Sequence, residues 1–507
     1  MRGRKELLAG IAIIFGTIAG SSYTNAEPSN SAGLRNAVKL VNVRDHQKAL
    51  HDIAEANNGT RASGTAGFAA SAQYVKQKLK AAGYTVTEQT FIFPFYQENS
   101  PAELSVVSPI IKIYGNGPDF GTLQYSGSGE VTAVVQPVDM SNPPAPTSLS
   151  TSGCEAADFA GFVSGNIALI QRGTCTFATK AANAAAAGAS AVIIFNNGVP
   201  GRTANFNGTL GGPVSLPALS ASFAVGVELS TLAGPTVRIK TDTISDNLPT
   251  SNVIAETARG RSDRVVVVGA HLDSVIAGPG INDNGSGTAG ILEIAIQMAK
   301  TNIRPVNKVR FIWFGAEEAG LLGSRYYVSQ LSPAETGDIA LNLNFDMIGS
   351  PNFVRFIYDG DGSDTFPAGP SGSAAIEQVF QDYFDSKGLA TAPTAFSGRS
   401  DYGPFIAVGI PAGGLFTGAE GLKSASEAEV YGGTAGIAYD PCYHQACDTF
   451  ANNSDVALNQ MSDAAADAVM QFAMRFPGII PPTQRTSRMQ SAVALDSQLY
   501  LGSHLQR

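Results

Sequence analysis

From Ser251 onward, three apolar runs of strand length alternate with helical stretches: Val265 to Val268, Val309 to Phe314 and Leu341 to Phe345, with Thr288 to Lys300 as one of the helices between them. Near-continuous apolar strands leave no polar face for water, so the sheet they build has to be covered by helices on both faces, an α/β architecture. At 507 residues the chain exceeds one ordinary domain, and 44% apolar residues suffice for a sizeable core. A last helix is expected at about Ser462 to Phe476, where Val469, Phe472, Ala473 and Phe476 share a face.

The first part of the chain reads differently. Val38 to Phe95 reads as helix, loop, helix, strand. Ala72, Val75, Leu79 and Ala82 recur at helical spacing, Gly83 closes that helix, and Thr85 to Phe91 alternates like a strand. From about Leu104 to Ile244 short β-rich runs alternate with turns. Here Ile167 to Ile170 reads as a buried strand, Thr179 to Ala187 as an Ala-rich helix, and Ala191 to Phe195 as a second strand. This block holds no evident catalytic cluster and reads as a module inserted into the larger domain. The expected division is therefore 35–103 and 245–476 for one discontinuous domain, 104–244 for the insert and 477–507 for a tail.

Residues 1–26 read as a signal peptide. Arg2, Arg4 and Lys5 precede an apolar stretch, Leu7 to Ile18, that is short for a membrane span, and Thr24-Asn25-Ala26 offers small residues for cleavage. No other transmembrane span is visible, so a secreted protein, extracellular or periplasmic, is expected. Four cysteines fall into two close pairs, Cys154 with Cys175 and Cys442 with Cys447. A thiolate zinc site is the alternative, but neither pair has the spacing of a zinc knuckle, so two disulfides are expected in an exported chain. A formal charge of -9 without a basic stripe argues against a nucleic-acid partner.

Only five histidines are present, and two lie among acids. His271-Leu272-Asp273 follows a strand run and leads to Asp283-Asn284-Gly285-Ser286-Gly287. Glu317-Glu318 follows the run ending at Phe314, Asp346 follows Phe345, and His444 sits beside Tyr443 within the Cys442 to Cys447 loop. In open α/β sheets ligands bind beyond the carboxyl ends of strands. Histidines and carboxylates gathered there are the donor set that zinc takes. His271 and Asp273, two apart on an extended segment, point to the same side, so Asp273 can accept the far ring N–H of His271. Glu317 and Glu318 repel each other unless a cation compensates, although adjacent acids also suit a solvated helix start. His46 and His51 read as surface helix residues and His504 as part of the tail.

In this order the motifs closely resemble the co-catalytic di-zinc aminopeptidases, the group that includes aminopeptidase Y and the bacterial leucine-type aminopeptidases. Ser400-Asp401-Tyr402-Gly403-Pro404-Phe405 and Gly414-Leu415-Phe416-Thr417-Gly418 match the same group, and Arg172 to Phe177 with its cysteines makes the insert resemble a protease-associated domain. The resemblance implies a mixed central sheet, the zinc exopeptidase fold, and two zinc ions per chain. It places His271 and Asp346 on one zinc, Glu318 and His444 on the other, and Asp283 as the bridge. It makes Glu317 the general base and Tyr443 a phenol that stabilises the tetrahedral intermediate, and it implies a cis peptide at Asp283–Asn284. Met347, Arg399 and Phe416 are candidates to line the substrate pocket. The implied activity is removal of an N-terminal residue, apolar by preference, from peptides by a monomeric enzyme.

Overall fold

The computed structural model describes residues 31–476 and 479. The signal at 1–26, the tail at 477–507 apart from Ile479, and His504 lie outside the described residues. Within them run β1 (Thr85–Ser108), β2 (Lys112–Ile113), β3 (Phe120–Thr122), β4 (Gly129–Pro137), β5 (Ile167–Gln171), β6 (Ala191–Phe195) and β7 (Ala218–Ala221). They are followed by β8 (Thr236–Glu256), β9 (Arg261–His271), β10 (Asn307–Phe314), β11 (Ile339–Phe345), β12 (Phe356–Tyr358), β13 (Ala392–Thr394) and β14 (Ala412–Phe416).

The strands join in the order β13-β12-β14-β11-β9-β10-β8 and continue from β8 through β4-β5-β6-β7-β3. β14, β11, β9 and β10 are parallel, while β12 and β8 flank them antiparallel, so the central sheet is mixed. Side-chain alternation explains why both faces of that centre are buried. Val266 and Val268 pack among Ile291, Ile294, Leu458 and Val469 from the helices Gly285–Lys300 and Asp455–Met474. Val265 and Val267 point the other way, onto Tyr327 and Phe405. Each such valine contributes about 1.5–3 kcal/mol by burial, which makes the register of the parallel strands hard to slip.

In the insert, neighbouring residues again serve two cores. Ile167, Leu169 and Ile193 face one cluster, and Ala168, Ile170, Val192 and Ile194 face another. Its helix is Phe177–Ala186, started two residues earlier than its Ala-rich run because the Thr176 hydroxyl accepts the N–H of Thr179. Both disulfides are formed as expected, Cys154–Cys175 and Cys442–Cys447.

Two elements run further than their sequence pattern. β1 passes through Pro94 to Ser108 because it pairs with β8 along nearly its whole length. Both strands of this ribbon run on through the expected insert boundaries, with a register slip beside the first of them. At its base Phe91, Phe93 and Phe95 pack with Ala316, Leu322 and Tyr326. The last helix begins at Asp455, where Ser454 caps the N–H of Ala457. His46 corrects the surface reading. It is 6% exposed in a groove between helices, with Nδ1 2.7 Å from the Tyr74 hydroxyl and Nε2 3.4 Å from Glu293. A helical stretch facing two other helices buries a wider arc than its own apolar stripe reveals.

Candidate metal centre

The carboxyl ends of β9, β10 and β11 deliver the site. His271 is the last residue of β9 and sits opposite Phe314, the last of β10. Three residues on, Glu317 and Glu318 occupy a tight turn between Ala316 and Leu321, both at positive φ. Asp273 fixes that turn, for its carboxylate accepts the backbone N–H groups of Glu317 (3.2 Å) and Glu318 (3.4 Å). The ring of His271 meets Asp273 differently from the sequence expectation. Its Nδ1 lies 3.1 Å from the backbone carbonyl of Asp273 and 3.8 Å from its carboxylate, because that carboxylate is already engaged by the turn. Nδ1 donates to this carbonyl, which frees Nε2 to face the site.

Asp283 lies at the entrance of the helix Gly285–Lys300. Asn284 caps that helix by accepting the N–H of Gly287 (2.9 Å), and its amide donates to the carbonyl of Phe345 (2.9 Å), so it also pins the end of β11. The Asp283–Asn284 peptide is cis. Asp346 follows at once, and its Oδ2 accepts the Ser400 hydroxyl at 2.6 Å. His444 stands in the loop closed by Cys442–Cys447, and the Tyr443 ring stacks on its imidazole with centroids 3.8 Å apart.

The expected ligands converge. Nε2 of His271 is 3.2 Å from Asp283 Oδ1 and 3.2 Å from Asp346 Oδ1. Nε2 of His444 is 3.2 Å from Asp283 Oδ2 and 3.0 Å from Glu318 Oε2. The two oxygens of Asp283 thus face two different histidines. Glu317 lies in reach as well, since one donor atom from each of His271, Glu317 and Asp346 falls within 4.8 Å of the others, as for His271, Asp283 and Glu318. All but His444 are largely enclosed by protein; the His444 side chain is 42% exposed and lies on the open side.

The electrostatics point to missing positive charge. Burial, opposed by His271 but reinforced by Glu318, Asp401 and Asp346, pushes the Glu317 carboxyl well above the usual range. Burial and Asp283 likewise raise Glu318, while His444 pulls it down. Burial would lower His444, yet Glu318 and Asp283 hold it up at about 11. Oε1 of Glu318 is buried with no hydrogen-bond partner. Carboxylates in excess of cations, an orphaned carboxylate oxygen and imidazole nitrogens aimed inward fit divalent zinc, which takes N and O donors and offsets such charge.

Of the expected pocket residues, Met347 is buried next to Asp346, Phe416 is half-buried against Phe356, and Arg399 is exposed at the rim. Arg399 donates to Glu420 (2.7 Å) and to the Tyr443 hydroxyl (3.3 Å). Several residues that hold the ligands carried no signal of their own. Asp448 accepts the backbone N–H of Asn282 (2.8 Å) and Asp283 (2.9 Å), and fully buried Arg61 grips the loop before them. Only its place directly after the second disulfide cysteine could have marked Asp448.

Residues 252–469 match the model of peptidase family M28, and residues 132–229 match that of the PA domain. An aminopeptidase of Pseudomonas aeruginosa is 51% identical over 441 residues, covering 86% of this chain and 82% of its own. Leucine aminopeptidase 2 of Arthroderma otae is 41% identical, covering 90% of this chain and 89% of its own. Among solved structures, an aminopeptidase from Aneurinibacillus sp. strain AM-1 superposes with a TM-score of 0.63 at 28% identity, over 89% of this chain and 98% of that one. A zinc aminopeptidase from Bacillus subtilis gives 0.53 at 26%, over 87% and 95%. With this mixed sheet, this insert and these relatives, the chain belongs to peptidase family M28 and is a zinc metalloexopeptidase with aminopeptidase activity.

Proposed function

We propose that the chain is a secreted di-zinc aminopeptidase that frees one N-terminal residue, apolar by preference, from peptides. The observation that carries this reading is Asp283, whose two oxygens lie 3.2 Å from His271 and 3.2 Å from His444. One zinc would be held by His271 and Asp346, the other by Glu318 and His444, with Asp283 shared. Zinc at such a site supplies Lewis acidity and a water that ionises near neutral pH.

The side chains supply the rest. Glu317, enclosed and beside Asp346, accepts the proton of the attacking water and delivers it to the leaving amine. Tyr443, oriented by its stack on His444 and by Arg399, donates its hydroxyl hydrogen to the carbonyl oxygen as negative charge develops there. Glu317 and Asp346 meet the free α-ammonium of the substrate, and Met347 and Phe416 give its first side chain an apolar wall. The insert is a module of about 104–244, carried on the β1–β8 ribbon. Two disulfides and the absence of a free cysteine among the described residues support an oxidising compartment.

Metal analysis together with a panel of aminoacyl-nitroanilides tests this reading. The expected result is two zinc ions per chain, activity lost to a strong chelator and restored by zinc, leucine-type substrates favoured, and no cleavage when the amine is blocked. Undiminished turnover in metal-free protein, or equal turnover of N-blocked substrates, rejects it.

A further inference from the structure

Between β9 and Asp283 the chain makes a loop without regular structure, residues 272–284, that carries Asp273 and ends on the shared carboxylate. Such a loop has carbonyls pointing inward, and these need donors when water is excluded. One side chain from far away in the sequence supplies them. Arg61 is fully buried, and its guanidinium donates to the carbonyls of Leu272, Pro279 (2.8 Å) and Gly280 (2.5 Å). The backbone N–H of Arg61 donates to the Ser274 hydroxyl (3.0 Å), which in turn donates to the Gly278 carbonyl (2.9 Å). The Thr60 hydroxyl donates to the Val275 carbonyl at 3.0 Å. The loop is wrapped around this guanidinium, which ties its first residue, Leu272, to its later Pro279-Gly280 segment.

We propose that Arg61 is a positioning residue of the metal centre: it shapes loop 272–284 from within, so that Asp273 and Asp283 stand in place before any metal binds. This inference rests on the proposed di-zinc site. The planar fork of an arginine can serve three carbonyls in fixed directions, which a lysine ammonium cannot reproduce. Burial lowers Arg61 to about 10, partly offset by Asp273, Asp448, Asp283 and Glu318, so it stays a cation at neutral pH. It is therefore a built-in positive charge facing the carboxylates that would otherwise repel one another in the empty site. Asp448 accepts the backbone N–H of Asp283, so the backbone leading to the shared carboxylate is held by Arg61 through the Pro279 and Gly280 carbonyls and by Asp448 at Asp283 itself.

The test uses the full chain with Arg61→Lys and Arg61→Met, and Lys180→Met as a control. Lys180 is also fully buried and also donates to a carbonyl, that of Ser152, but in the insert. Zinc affinity is read by competition against a chromophoric chelator, and thermal unfolding is followed in parallel. The expected result is zinc binding weakened about tenfold or more by Arg61→Lys and unchanged by Lys180→Met. Turnover of Arg61→Lys should largely return at high zinc. Zinc affinity of Arg61→Lys within about twofold of the parent, with only its unfolding temperature lowered, would reduce Arg61 to an ordinary core residue. Hydrogen exchange on the unmodified chain decides the matter independently should the variants not fold. Loop 272–284 is expected to be protected already in the metal-free protein, and protection that arises only on adding zinc overturns the proposal. If the unmodified chain binds no zinc at all, the di-zinc reading fails, while the exchange result still decides whether the loop around Arg61 is ordered without metal.

Discussion

Glu317 and Glu318 are adjacent in the chain, yet their surroundings divide their work. Glu318 meets His444 at 3.0 Å and is drawn into the donor set, whereas Glu317 lies among Asp346, Glu318 and Asp401 and holds a proton more tightly than a free carboxyl. Replacing Glu317 with Gln keeps the size but removes the proposed base. We expect turnover to fall by about 10²–10⁴-fold with zinc content unchanged, measured by steady-state kinetics and metal analysis. Tyr443→Phe leaves the ring stacked on His444 but removes one donor from the developing oxyanion. It should lower kcat by about 10²-fold with little change in KM, and a larger effect on KM than on kcat would move Tyr443 out of this role. His271, Asp346 and the two glutamates were legible because each follows an apolar strand, and strand ends mark where ligands gather. Arg61 was not legible, since its acceptors lie 211 to 219 residues away and nothing in its own neighbourhood signals them. Asp273 was legible in position but not in contact, because a choice between carbonyl and carboxylate depends on what the Glu317 turn requires.

At the level of elements, the start of the helix Gly285–Lys300 is pressed against the end of β11. A Cβ at Gly287 would come within 2.1 Å of the Phe345 carbonyl oxygen and 2.5 Å of Asn284 Oδ1. Neither neighbour can retreat, since Asn284 both caps the helix and bonds the Phe345 carbonyl, and Asp346 follows Phe345. Gly287→Ala should therefore cost about 1–3 kcal/mol of stability and move the proposed ligands Asp283 and Asp346 apart. Denaturant unfolding together with zinc titration would show both losses, and a stable variant that binds zinc normally would contradict the packing argument. The glycines after Asp283 could be read from sequence as marking close backbone approach, but not which strand would approach. Strand identity was visible in Val265 to Val268 because alternate side chains enter two separate cores. Strand length was not visible for β1, whose extension to Ser108 is set by its partner β8.

On the scale of the whole molecule, two bodies share one pair of strands. At one end Phe91, Phe93 and Phe95 support the turn bearing Glu317 and Glu318, and at the other Leu104 and Val106 enter the core of the insert. Truncating Phe93 to Ala should cost about 3–5 kcal/mol and lower activity through that turn, which thermal unfolding and kinetics would separate from a purely local loss. The pairing of β1 with β8 slips between Glu98 and Ser100, again between Ser100 and Glu103, and once more near its end between Val106 and Ser108. Glu98 lies opposite Thr243 just on the peptidase side of the first slip. The module is thus an outgrowth of the peptidase body with a natural seam, and a short turn joining Glu98 to Thr243 would exchange or remove it while sparing the aromatic footing beneath the Glu317-Glu318 turn.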